Sequence, residues 1–121
     1  MKTLTRPLDV ALSFTRAWTG KDMGTARSLV ADEVVFDGPM QQSTGAGPYF
    51  EGLEKLAESV TGVEIIASFG DEEKALVMYD LKTKAWGTLT CAKCFTISDG
   101  KIVKDQLTFD SYKIRSASEK R

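Results

Sequence analysis

Residues 87–112, GTLTCAKCFTISDGKIVKDQLTFDSY, decide the fold. Before Asp99, the residues Leu89, Cys91, Lys93, Phe95 and Ile97 fall on one parity, and small or hydroxylated residues fall on the other. That is the period of a half-buried strand. Asp99-Gly100 is a hairpin dipeptide, and Lys101 to Tyr112 resumes the β-rich pattern. Two registers are open. A two-residue turn pairs Ile97 with Ile102 but puts Lys104 with Phe95, and it strands Leu107 and Phe109 on the opposite face. A three-residue loop over Ser98 to Gly100 aligns Phe95 with Val103 and Cys91 with Leu107, which keeps the apolar face consistent. The second register is the expected one, and it sets Lys93 directly across from Asp105 on that face.

Upstream, Val63 to Phe69 and Lys74 to Thr83 are two further strand-like runs, closed by Gly70-Asp71 and Lys84-Ala85. Four runs with short turns predict an antiparallel meander. The first half of the chain is different. Pro7 suits a first helical turn, and Leu8, Ala11, Leu12, Phe14, Ala17 and Trp18 cover more than half a helical circumference before Gly20, so this helix is covered on more than one side. Asp22 is a plausible N-cap for a second, short helix. Glu33 to Asp37 reads as a strand closed by Gly38-Pro39, and Met40 to Thr44 as a brief further one. Pro48 opens a third helix with Tyr49, Leu53, Leu56 and Val60 along one face, ended by Gly62. Helices on one side of such a sheet define an α+β domain. One domain is expected over 1–121, with its structured core at about 6–114 and a polar tail from Ser116.

The 121 residues are 42% apolar and 27% charged with a net charge of −1, an ordinary globular balance. No basic cluster supports nucleic acid as a partner, and no window approaches the roughly 18 apolar residues of a membrane span. Asp9, Ser13 and Arg16 interrupt any signal-peptide core, which makes the cytoplasm the expected location. The chain has no histidine, so acid–base chemistry falls to Asp, Glu, Lys, Tyr or Cys. Cys91 and Cys94 form a C-x-x-C, but positions three apart on a strand point to opposite faces. Neither a disulfide nor a metal site is expected, and no cofactor is implied.

Taken in order, Trp18-Thr19-Gly20-Lys21-Asp22, Ala31-Asp32-Glu33 leading into Val35-Phe36-Asp37, Gly45 before the third helix, and Phe95 to Ile102 resemble the nuclear-transport-factor-2-like superfamily. The likeness is to its SnoaL-like and ketosteroid-isomerase-like branch and spans about residues 8–112. It implies a cone-shaped half-barrel, a curved antiparallel sheet wrapped around three helices with an internal pocket, and a homodimer through the outer sheet face. It also places Asp37 where ketosteroid isomerases carry their general base. Phe14 stands where those enzymes have an oxyanion-binding tyrosine, and Lys93 where they have a protonated aspartate. Steroid isomerisation is therefore not expected.

The candidate catalytic set is Asp37 as base, Lys93 as stabiliser of developing negative charge, and Asp105 as the residue that orients Lys93. An unpaired charge on an apolar face is costly, so Lys93 and Asp105 are expected to pair, either as a structural bridge or as the polar head of a pocket. The resemblance points the Leu76, Met78 and Asp80 phase of its strand inward, leaving Val77, Tyr79 and Leu81 as an outer apolar stripe; the opposite phase stays open. Phe14, Trp18, Met40, Tyr49, Met78, Asp80, Cys91, Phe95 and Phe109 are the expected pocket lining. The expected function is a cofactor-independent isomerase, cyclase, lyase or hydrolase on a small hydrophobic oxygenated molecule. The alternative is a non-catalytic ligand-binding or dimerisation module.

Overall fold

The computed structural model describes residues 6–112, 114 and 116. The start of the chain, positions 113 and 115, and the polar tail beyond residue 116 lie outside them. Three helices, α1 (Pro7–Thr19), α2 (Met23–Ser28) and α3 (Ala46–Ala57), pack against one sheet. The strands are β1 (Val30–Asp37), β2 (Gln42–Thr44), β3 (Val60–Gly70), β4 (Lys74–Thr83), β5 (Gly87–Ser98) and β6 (Lys101–Phe109). Their spatial order is β2-β1-β6-β5-β4-β3.

The expected α+β architecture holds, with a refinement. The meander from β3 to β6 is antiparallel, but β1 runs parallel to β6, so the sheet is mixed. A parallel neighbour needs a long crossover, and everything from β2 to β5 supplies it. Irregular register in β3, at Val60/Gly62 and Ile65/Ala67, bends the sheet around α1. Phe14, Val10 and Ala11 of α1 are fully buried and Trp18 is nearly so. Each large apolar side chain so buried stabilises the fold by about 1.5–3 kcal/mol. Asp22 caps α2, accepting from Thr25 N–H at 3.2 Å. Val60, expected on the third helix, instead opens β3, and α3 ends at Ala57.

The final hairpin corrects the expected register. Asp99 and Gly100 both have positive φ, 53° and 76°, as a two-residue type I′ turn requires, and Ser98 pairs with Lys101. The register then shifts: Ile97 pairs with Ile102, but Thr96 pairs with Lys104. Val103 is the extra residue of a bulge, and it restores the phase that the turn alone would have lost. Lys93 therefore lies opposite Leu107, and Asp105 opposite Phe95. The two charged residues are diagonal neighbours on one face.

β4 also faces the other way. Ala75, Val77, Tyr79 and Leu81 are buried against the helices, while Leu76 and Met78 are 52% and 43% exposed. Inverting the strand would bury Asp80 and Lys82 together, which costs more than exposing Leu76 and Met78. Asp80 instead accepts a 2.6 Å bond from Thr90 on the outer face. Asp80 and Met78 are thus not pocket residues, and Val77, Tyr79 and Leu81 form no outer stripe. The exposed apolar residues of the sheet include Phe69, paired with Leu76, and Met78, paired with Ala92.

Candidate active site

A cavity of about 170 Å³ lies between the concave sheet face, α1 and α3. Trp18 comes from α1, Tyr49 and Leu53 from α3, and Tyr79, Cys91, Lys93, Leu107 and Phe109 from the sheet. The loop Gly38–Gln41 closes one side with Met40. Of the expected lining, Trp18, Met40, Tyr49, Cys91 and Phe109 touch the cavity. Phe14 and Phe95 stand behind it, fully buried.

The polar end is built by three residues. Lys93 Nζ is 2.8 Å from Asp105 Oδ2, with Lys93 3% exposed and Asp105 fully buried. The Tyr49 hydroxyl donates to the same Oδ2 at 2.6 Å. Around the ammonium, the rings of Phe14, Trp18 and Phe95 lie with centroids 5.5–5.6 Å away, close enough for cation–π attraction to offset part of its lost hydration. Asp105 Oδ1 and Trp18 Nε1 have no hydrogen-bond partner among the described residues.

Burial first, then the Asp105 charge and its hydrogen bond, pushes the Tyr49 phenol well above its ordinary 10.0. Tyr49 is thus a fixed donor and not a base. Tyr79 is raised likewise by burial and then by Cys91 and Asp105. Burial raises the Cys91 thiol, against a smaller opposing pull from Lys93, so it lacks the thiolate character of a nucleophile. Cys94 lies on the other face of β5, and both thiols are free. No cluster of His, Cys, Asp or Glu suited to a metal occurs among the described residues.

Asp37 is not brought into this group. It ends β1 half-exposed, where Gln42 Nε2 donates to its Oδ1 at 3.0 Å. Strand alternation gives the cavity to Phe36 instead. Gly38 is needed for that placement, since a Cβ there would meet the Phe36 ring at 2.8 Å. What sequence reasoning missed is Tyr49 as a partner of Asp105. Its helical spacing with Leu53 signals only a core face, and nothing local links residues 56 apart.

A model of the SnoaL-like domain family matches residues 11–104. The chain belongs to the SnoaL-like domain family. Among solved structures, this SnoaL-like domain is similar to a protein from Kribbella flavida, with 33% identity over 94% of each chain and a TM-score of 0.90. It is also similar to an NTF2-like protein of unknown function from Cytophaga hutchinsonii, at 21% identity over 98% and 100% of the two chains and a TM-score of 0.79. An LEH-like epoxide hydrolase from M. tuberculosis shares the fold at 18% identity, 91% and 86% coverage and a TM-score of 0.76. No curated protein matches this chain. No helix among the described residues is long and apolar enough to cross a membrane.

Proposed function

We propose that this chain is a cofactor-independent acid–base enzyme acting on a small, uncharged, oxygen-bearing molecule, with Lys93 as the electrophile. The observation that carries the reading is the buried Lys93–Asp105–Tyr49 cluster at the polar end of an otherwise apolar cavity. A buried ion pair is a poor way to stabilise a fold, because a well-packed apolar pair of similar volume serves as well or better. Its placement at a cavity wall supports a chemical use.

Size and charge narrow the substrate class. A cavity of about 150 Å³ is large enough for benzene, so about 170 Å³ suits a single-ring or short-chain molecule. Lys93 is the one charged side chain lining the cavity among the described residues, and Asp105 already balances it. A carboxylate ligand would leave one uncompensated negative charge in apolar surroundings. A ketone, ester or epoxide oxygen would accept from Lys93 at no such cost. As negative charge grows on that oxygen, the ammonium attracts it more strongly in a site shielded from water. Asp105 stands behind the cavity wall and holds Lys93 in place through Oδ2, and its unpartnered Oδ1 is the cluster's own proton acceptor. Asp37 has no part in this reading. That an LEH-like epoxide hydrolase shares the fold is compatible with it.

A second reading, a non-catalytic binding module, is favoured by one observation: among the described residues no carboxylate lines the cavity itself. Cyclohexyl methyl ketone and the similarly shaped cyclohexanecarboxylate separate the readings. The ketone is expected to bind more tightly at neutral pH, and in D₂O its α-protons are expected to exchange faster with the protein than in buffer. That acceleration should vanish in Lys93→Met. Binding without exchange would leave the module reading, and tighter binding of the carboxylate would remove the uncharged-substrate argument. The homodimer expectation moves to the outer face of Phe69, Leu76 and Met78. Sedimentation velocity tests it, with Leu76→Lys expected to give monomers if that face pairs.

A further inference from the structure

Exposure of the cavity wall changes from one end to the other. Trp18, Tyr79 and Lys93 are at most 3% exposed, whereas Met40 is 50% exposed and Gln41 and Gly52 are open to solvent. The solvent-facing part of the wall thus includes the Gly38–Gln41 loop and the middle of α3.

On α3, Tyr49, Gly52, Leu53 and Leu56 all line the cavity. They have the i, i+3, i+4, i+7 spacing of one helix face. Three of the four carry large side chains and the fourth carries none. A glycine inside a helix costs about 1 kcal/mol relative to alanine, so its presence calls for a reason. Backbone conformation supplies none, because Gly52 is not among the positive-φ glycines. Crowding supplies none either. Among the described residues, a Cβ at Gly52 would meet only the Gln41 side-chain amide, at 3.9 Å, an ordinary contact. The helix-weakening residue thus stands on the solvent-facing part of the cavity wall, with the Gln41 amide across from it.

We infer that Gly52 and the Gln41 side chain form the aperture through which the ligand reaches Lys93, and that the missing side chain at Gly52 sets the largest ligand admitted. The inference rests on the pocket of the preceding reading but concerns passage and not chemistry. A leucine at position 52 would project from the same helix face toward Gln41 and Met40 and fill the opening, and alanine would narrow it. Truncating Gln41 would widen it.

Stopped-flow quenching of tryptophan fluorescence, with Trp18 in the cavity wall, measures passage directly, using cyclopentanone as the small probe and cyclohexyl methyl ketone as the large one. Gly52→Leu is expected to slow association of the large ketone at least about tenfold, well within the span over which association rates vary between variants, and to slow cyclopentanone far less. Its melting temperature should not fall, because leucine is the better helix former. Gln41→Ala should speed the large ketone selectively. A size-dependent split of this kind does not follow from general loosening of the fold. Equal rates for wild type and Gly52→Leu, equal slowing of both ketones, or failure of either ketone to bind the wild type would each overturn the aperture. Should Gly52→Leu not fold, opposite shifts in the large-ketone rate for Gly52→Ala and Gln41→Ala carry the test, and the absence of such shifts overturns it. Size-selective association without α-proton exchange would sink the catalytic reading and leave the aperture standing.

Discussion

Replacing Lys93 with methionine is expected to lower the stability of the fold by about 3–5 kcal/mol at neutral pH, the usual cost of removing one partner of a buried ion pair. Methionine fills most of the space of the lysine stem, so little of the loss comes from packing. It comes from Asp105, fully buried and already lacking a partner at Oδ1, which would keep only the Tyr49 hydroxyl. Asp105→Asn alone should also be costly, because it leaves the ammonium among Phe14, Trp18 and Phe95 without its counter-charge. The double variant should be far less damaged than the sum, since asparagine still accepts from Tyr49 and no charge is left buried. A coupling energy of about 2 kcal/mol or more is expected from the cycle. Urea denaturation of the four proteins measures it. Additive single effects would mean that Lys93 and Asp105 do not depend on each other, and the polar head of the site would lose its basis.

The same cluster shows how much of the site was legible in the chain. That Lys93 and Asp105 share an apolar face follows from the alternation in β5 and from the need to keep Leu107 and Phe109 on that face. The means by which the chain achieves it does not follow. Phase can be restored by a longer loop or by a bulge, and alternation reads the same for both. The bulge at Val103 replaces the three-residue loop and makes the pair diagonal instead of opposite. In β4 both parities are apolar enough to face a core. The deciding factor is the burial cost of Asp80 with Lys82, a sum over the whole strand, and the family likeness pointed the other way. Asp37 illustrates a further limit. A carboxylate at a strand end satisfies the pattern of a base, but one residue of alternation hands the cavity to Phe36 and leaves Asp37 to Gln42. Tyr49 was legible as pocket lining on an apolar helix face but not as a partner of Asp105, because that bond depends on a contact between α3 and β6 that no local pattern encodes. The helices, the meander and the buried α1 were legible because each rests on a repeat many residues long.

Alkaline unfolding supplies the second large effect. Tyr49 and Tyr79 are 5% and 1% exposed, and burial followed by neighbouring negative charge holds both phenols well above 10.0. In the unfolded chain they ionise near 10.0, so above that pH the unfolded state has lost two protons that the folded state keeps. Their contribution is complete below pH 10.0 and is lost as pH rises toward the folded values. At about 1.36 kcal/mol per pH unit for each group, the pair removes about 2.7 kcal/mol of stability per unit above that point. Cys91, raised from 9.0 by burial, acts in the same direction and begins earlier. A domain stable by about 5–15 kcal/mol cannot absorb that slope for many units. Urea midpoints taken from pH 9 to 11.5 should therefore fall steeply, with Tyr49→Phe and Tyr79→Phe each removing about half of the tyrosine contribution to the slope. Absorbance of phenolate provides the independent check, because Tyr49 and Tyr79 should ionise only as the fold is lost. If both phenols titrated in the folded chain, or if the two Phe variants kept the wild-type slope, Tyr49 would not be a permanent donor to Asp105, and Lys93 alone would hold the carboxylate within the cluster.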